Sequence, residues 1–348
     1  MRKISQKIWN KNIRKIEKKS IMYSDGITNQ VAFGKPGICR YDVTFSDGTA
    51  QSFVAKRKSR KIILNGILLL SRYNAKIGLM LVKDHTVFGF NKSFLRETLL
   101  YKKLDPALQK HLIPVFGDYQ NGLTDTYILL LKYIRSPRKV TSADYKTVFD
   151  AITDFHSAYY GRSDSVSKFK LNNYSARDYK NCKGALMTMF SELESSNRRI
   201  FTPAQLRKLT GFLRNIDREY LSFHKTLTHN DFSPRNIFFD GEKLCFYDWE
   251  LACYQNPEHD LIEFLVSVIH EVKDAQVREM IGYFKKTLLG KLGIGIESRK
   301  YTQILRFNAL EYAVNRLTLL RLVNKKFGHS SIEQMTVNMS RLMNILKI

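Results

Sequence analysis

Residues 227 to 250, LTHNDFSPRNIFFDGEKLCFYDWE, set one histidine, two asparagines, three aspartates and two glutamates between short apolar runs. A carboxylate in a dry setting costs several kcal/mol unless a cation or a proton donor compensates it, so such groups persist where something pairs with them. The spacing narrows the choice. His229-x-Asp231 is followed after four residues by Asn236, and Asp248 stands twelve positions further on. The intervening IFF and LCFY alternate as strands do, which predicts a hairpin that brings Asn236 and Asp248 together. An amide oxygen beside a carboxylate suits Mg²⁺, which takes few protein ligands and completes its octahedron with phosphate oxygens and water. H-x-D-x-x-x-x-N is the arrangement of a kinase catalytic loop, in which Asp231 would orient a substrate hydroxyl and accept its proton. By itself the match equally describes a carboxylate-rich turn bonded to its own backbone.

Elements upstream must supply the rest. Ile27 to Phe33, then CRYDVTF (39–45), an SDG turn and QSFVAK (51–56) read as three antiparallel strands, the last two forming a hairpin. Lys56 ends the third strand, where a kinase-like fold keeps the lysine that grips nucleotide phosphates. Residues 92 to 104 place apolar side chains three or four apart, predicting a helix that carries Glu97 as the partner of Lys56. The alternative is that Lys56 starts a basic surface run and Glu97 is an exposed helix residue. HLIPVFGDY and TYILLLKYI add two strands and close a small lobe near residue 134, after which helical spacing dominates. Strand lysine, helix glutamate, catalytic loop and metal aspartate in this order favour the functional reading.

HNDFSPRN together with YDWELACYQNPEHDL resembles the aminoglycoside phosphotransferase and choline kinase superfamily, over about residues 25 to 325. The resemblance implies an α+β, bilobal, protein-kinase-like fold, with a small β-rich N-terminal lobe and a larger, mostly helical C-terminal lobe. It implies Asp231 as catalytic base, Asn236 and Asp248 as Mg²⁺ ligands, and Lys56 with Glu97 as the phosphate-gripping pair. Lys132, Tyr133 and Ile134 match the hinge that bonds adenine through its backbone, and Asp260 matches an acid that braces the catalytic loop, with His229 in support. Trp249, Glu250 and Tyr254 follow the metal aspartate and are candidates to line an acceptor pocket, where an aromatic and a carboxylate would hold a cationic head group; buried packing is the competing account. His156 reads as a core residue. The pattern also departs from protein kinases: there is no H-R-D arginine, no D-F-G and no A-P-E segment, and Lys56 and Glu97 lie 41 positions apart, which implies an insert at about 59–90.

The expected organisation is a basic N-terminal helix (1–20), an N-lobe (21–134) and a C-lobe (135–348). The function expected is ATP- and Mg²⁺-dependent transfer of the γ-phosphate to a hydroxyl of a small molecule such as an amino alcohol, sugar or aminoglycoside. Two alternatives stay open: a Ser/Thr kinase acting on a peptide or anionic macromolecule, and a non-catalytic kinase-like binding module. Composition bounds these readings. The chain has 348 residues and 57 Lys and Arg against 32 Asp and Glu, a formal charge of +25, which favours anionic partners over cationic ones. Ile4, Ile8, Ile13 and Ile16 recur at helical intervals beside lysines, which would suit docking on an anionic membrane surface. No nucleic-acid-binding motif is present to make nucleic acid the partner. Four widely spaced cysteines suggest neither disulfides nor zinc, and with no signal-like or membrane-spanning apolar run the expected location is the cytoplasm.

Overall fold

In the computed structural model the described residues are Gln6, 8–20, 37–61, scattered positions between 64 and 82, 92–124, 126–220, 225–327 and 330–348. The strand expected at Ile27–Phe33 and most of the insert expected at 59–90 lie outside them. The N-terminal part is an antiparallel sheet in the order β1-β2-β3-β5-β4, formed by β1 (Ile13–Ser20), β2 (Ile38–Phe45), β3 (Ala50–Ser59), β4 (Val115–Asn121) and β5 (Thr126–Lys132). The β2–β3 turn uses Asp47, whose side chain accepts from the Thr49 amide at 3.0 Å, and Gly48, whose φ of 82° a side chain would oppose.

The expectation of a helix over residues 1–20 does not hold for residues 13 to 20. These residues form β1, paired antiparallel with β2 from Cys39 to Phe45. The isoleucine spacing that looked helical is satisfied instead by an edge strand, with Ile13 buried beside Val43, Phe45 and Phe53 and Ile16 packed against that cluster. Inter-strand hydrogen bonds outweigh a weak local helix preference in a segment so rich in lysine, which also suits an edge. The amphipathic docking helix is therefore absent from residues 13 to 20.

The pleat of β3 sorts its side chains. Phe53 and Ala55 join the small cluster on one face, whereas Val54 belongs with the main core on the other, so Lys56 and Lys58 share its side of the sheet. Against that side packs α1 (Ser93–Lys103), through Leu100 and Tyr101. The remainder is mostly helical: α2 (Tyr145–Tyr159), α3 (Ala176–Ser191), α4 (Pro203–Glu219), α5 (Glu258–Val268), α6 (Asp274–Leu292), α7 (Ser298–Tyr312), α8 (Thr318–Phe327) and α9 (Ser330–Ile345). Short strands thread this helical part: β6 (Arg138–Lys139), β7 (Asn172–Asn173), β8 (Thr226–Thr228), β9 (Ile237–Asp240), β10 (Lys243–Phe246) and β11 (Cys253–Gln255), in sheets ordered β10-β9-β6 and β7-β11-β8. The architecture is α+β, an antiparallel sheet followed by a helical remainder. All four cysteines are buried thiols outside any disulfide, and no helix among the described residues is long and apolar enough to cross a membrane.

Candidate active site

The loop between β8 and β9 carries the H-x-D-x-x-x-x-N residues. Asn230 sits in the left-handed region at φ 58°, a conformation asparagine tolerates better than most residues, and its side chain is pinned on both sides. Its Nδ2 donates to the Leu251 carbonyl at 2.9 Å and its Oδ1 accepts from Gln255 at 3.0 Å. Asp260, fully buried on α5, receives the loop from below: one carboxylate oxygen accepts from the His229 amide at 2.9 Å and pairs with His156 Nε2 at 3.0 Å, and the other accepts from the Asn230 amide at 2.9 Å. Burial raises the Asp260 pKa, but His156, His229 and these amides outweigh it, so the carboxyl stays below its usual range. His229 itself is buried, bonds the Tyr247 carbonyl through Nε2 at 2.9 Å and lies 4.5 Å from the Trp249 ring.

After Asp231 the chain makes a turn of 3₁₀ helix over Pro234–Asn236 and enters β9. The β9–β10 hairpin closes through a two-residue turn with Gly241 at φ 64°, the first-position glycine that such tight hairpins require. This fixes the register, pairing Ile237 with Phe246 and bringing the Tyr247 amide to the Asn236 carbonyl at 3.1 Å. Asn236 and Asp248 thus flank the open end of one hairpin. Asn236 Nδ2 donates to the Asp231 carbonyl at 2.8 Å and to Asp231 Oδ2 at 3.0 Å, which leaves the amide oxygen as the atom for a ligand. Asp248 adopts φ 65°, a left-handed conformation that is costly for a non-glycine residue and common where function over-determines the backbone.

Lys56 links the two parts of the molecule. Its buried ammonium lies 2.6 Å from Glu97 Oε2 and 2.6 Å from Asp248 Oδ1. Burial opposes its charge, but Asp248, Glu97 and Glu250 together hold its pKa well above the usual lysine range. Burial likewise raises Asp248, and Lys56 with Lys58 overcomes it, so the carboxyl stays ionised below its usual range. Glu97 is shifted the other way, because its own burial outweighs the attraction of Lys56. Asp231 is held well below the carboxylate range: burial raises it, and Arg235, Arg316 and His229 more than offset that.

An Mg²⁺ ion fits this donor set. The Asn236 oxygen is uncommitted and Asp248 is ionised, a hard amide and carboxylate oxygen pair of the kind Mg²⁺ takes. Lys132 ends β5, and Tyr133 and Ile134 follow it on the way into the helical part. The Lys132 amide donates to Pro114 at 2.8 Å, its ammonium pairs with Asp240 at 2.9 Å, and Arg40 lies 4.0 Å above the Tyr133 ring.

The acceptor-facing expectation for Trp249, Glu250 and Tyr254 meets a different arrangement. Trp249 is fully buried and stacks on Phe155 at 5.0 Å, and Tyr254 is buried within β11. Glu250 is tied to Lys58. The apolar surface of the two aromatics is consumed by the core, so none of the three is available as a cage for a cation. Sequence reasoning missed four charged residues here: Lys58, Arg96, Arg235 and Arg316. Arg235 was visible four positions after Asp231, the spacing of an i,i+4 pair, and Lys58 shares the alternation of Lys56. Arg316 carries no local signal.

Comparison with known proteins follows the same lines. Residues 189–289 match the model of the phosphotransferase enzyme family. Compared by sequence, no curated protein matches this chain. By structure it is similar to LicA in complex with AMP, at 12% identity over 99% of this chain and 96% of that one with a TM-score of 0.52. It is also similar to macrolide 2'-phosphotransferase MphH from Brachybacterium faecium, at 12% identity over 97% and 96% with a TM-score of 0.50. A third likeness is to a putative fructosamine-3-kinase from Haemophilus somnus 129PT, at 12% identity over 98% and 96% with a TM-score of 0.52. The hairpin and loop that carry Asp231, Asn236 and Asp248 lie inside the matched segment, and the chain as a whole has the kinase-like fold of these phosphotransferase and kinase structures.

Proposed function

We propose that the protein transfers the γ-phosphate of ATP, with Mg²⁺, to a hydroxyl group of a small molecule. One observation carries the reading: a buried lysine 2.6 Å from both Glu97 and Asp248, beside a hairpin end where Asn236 is bonded to Asp231. A purely structural ion-pair network gains nothing from an asparagine that spends both amide hydrogens on the neighbouring aspartate and leaves its oxygen free. The family match and the phosphotransferase and kinase folds support the same reading.

Each side chain then has a task. Lys56 has three donors, two of them used by Glu97 and Asp248, and the third reaches the α- and β-phosphates. Backbone groups of Lys132 to Ile134 take the adenine edge. Asn236 and Asp248 hold Mg²⁺, which when bound neutralises charge on the phosphate oxygens. Asp231, ionised at neutral pH, orients the acceptor hydroxyl. As the hydroxyl oxygen bonds to the γ-phosphorus and the bridge to ADP breaks, the hydroxyl proton passes to Asp231. A carboxylate of low pKa is adequate here, because the loose transition state of phosphoryl transfer needs aiming more than a strong base.

ADP release with Mg²⁺–ATP and a panel of hydroxyl compounds tests this, with Asp231→Asn as the comparison. A loss of about 10²- to 10⁴-fold is expected in the variant. Unchanged turnover removes the mechanism, and failure of the wild-type chain to bind Mg²⁺–ATP in calorimetry revives the non-catalytic alternative.

A further inference from the structure

Two arginines converge on Asp231. Arg235 lies 2.6 Å from its Oδ1 and Arg316 lies 3.3 Å from the same atom. Arg235 has about half its side chain in solvent, and Arg316 keeps only 14% exposed. Arg316 belongs to a five-residue π-helical turn, Ala313–Leu317, between α7 and α8, whose other four residues are buried. Turns of this kind are rare and recur at functional sites, because the extra residue re-aims one side chain out of the regular helical rows. Here the re-aimed side chain faces the candidate base.

Burial of Arg316 is outweighed by Asp231 and Glu263, which raise its pKa, yet its hydrogen bonds are unmade. Among the described residues its guanidinium makes no hydrogen bond, its contact with Asp231 is at ion-pair distance, and its Nε is buried without a partner. A guanidinium has five donors, and a largely buried one left this way is costly until an anion completes it. Glu263 is the other carboxylate acting on Arg316, yet it already accepts from the Phe232 amide at 2.6 Å and burial lifts its pKa to about 7, so it supplies only part of a charge near neutrality. The groups that would receive a cationic acceptor are taken: Trp249 and Tyr254 by the core, Glu250 by Lys58.

Resting on the phosphotransferase reading, we infer that the acceptor is itself an anion, a hydroxyl compound bearing a phosphate or carboxylate that Arg316 and Arg235 receive while Asp231 takes the hydroxyl. Arg235, the more exposed of the two, exchanges Asp231 for the ligand and so frees Oδ1 for the incoming hydroxyl. The bond between Asn236 and Oδ2 keeps the carboxylate aimed during that exchange.

The full-length protein with Mg²⁺–ATP is assayed against matched acceptors: glycerol 3-phosphate and gluconate as anions, glycerol and glucose as neutral counterparts, choline and ethanolamine as cations. The anionic members are expected to exceed their neutral counterparts in kcat/KM by roughly 30-fold or more, the size of one lost charge-assisted contact. The ratio of phosphate to carboxylate turnover identifies the anion. Arg316→Gln is expected to erase the advantage through the acceptor KM while leaving the ATP KM within about 2-fold, and Arg316→Lys to recover part of it. Should Arg316→Gln not fold by circular dichroism, Arg235→Gln provides the same readout. A neutral or cationic acceptor turned over fastest overturns the inference and leaves the phosphotransferase reading intact. A rise in the ATP KM with every acceptor overturns it in favour of arginines that act on the nucleotide. Absence of both Mg²⁺–ATP binding and transfer removes the parent reading as well.

Discussion

Arg96 Nη1 donates to the Glu250 carbonyl across 2.8 Å, tying the helix that carries Glu97 to the turn that follows Asp248. The guanidinium is fully buried and also reaches Asn172 Oδ1 at 3.3 Å and the Lys170 carbonyl at 3.4 Å. The distance that Lys56 spans between Glu97 and Asp248 is therefore set by Arg96 as much as by the lysine, because Arg96 and Glu97 are consecutive residues of one helix.

Replacing Arg96 with Leu is expected to remove these three bonds from a dry interface. The cost should be about 3 kcal/mol, at roughly 1 kcal/mol or more for each lost bond. Urea denaturation measures it. A variant as stable as the parent would show that the contact does not hold the two parts in register.

Asp260→Asn keeps the size of the side chain but turns one acceptor into a donor that faces an amide or His156. Its two bonds to the loop that carries Asp231 cannot both survive, so a stability loss of about 2 kcal/mol is expected, together with a fall in transfer of about 100-fold as Asp231 loses its aim. Steady-state rates and unfolding curves of the same preparation separate the two effects. Retained activity in a destabilised protein would mean that the loop holds its shape without the brace.

Lys56→Met leaves Glu97 and Asp248 facing each other without their cation. Breaking a buried pair from one side costs about 3–5 kcal/mol, and one carboxyl should respond by keeping its proton. A folded-state pKa raised above the unfolded value gives stability that is present at low pH and lost as pH rises, so this variant should be more stable at pH 5 than at pH 8. Mg²⁺–ATP binding should vanish in calorimetry. The opposite pH trend would argue that other cations replace the lysine.

Glu258 opens α5 fully buried, and burial lifts its pKa to about 7 from the usual carboxyl value of 4.5. Being raised, it favours the folded state below the unfolded pKa, and that contribution falls away as pH climbs from about 4.5 through 7. Glu258→Gln should remove the slope and gain stability relative to the parent at pH 8, by about 3 kcal/mol at most. Denaturant midpoints at pH 5, 6.5 and 8 test it, and parallel curves for the two proteins would remove Glu258 as the source.

The sequence alone determined the local elements. Alternation in β2, β3, β9 and β10 and the Asp47-Gly48 turn were legible because a pleat repeats every two residues and a tight turn demands particular backbone angles, both properties of neighbours in the chain. The order of Lys56, Glu97, Asp231, Asn236 and Asp248 was likewise written in the chain. Only the tertiary structure decided which partners those elements met. Residues 13 to 20 carry isoleucines at a helical interval, yet pair as a strand, because the hydrogen bonds that fix them come from β2. Trp249 and Tyr254 follow Asp248 but face the core, and Arg316 reaches Asp231 through a π-helical turn far along the chain. Periodicity tells which side of an element is apolar; it carries no information about what a distant segment will bring against it, and the charge balance around Asp231 is made by such segments.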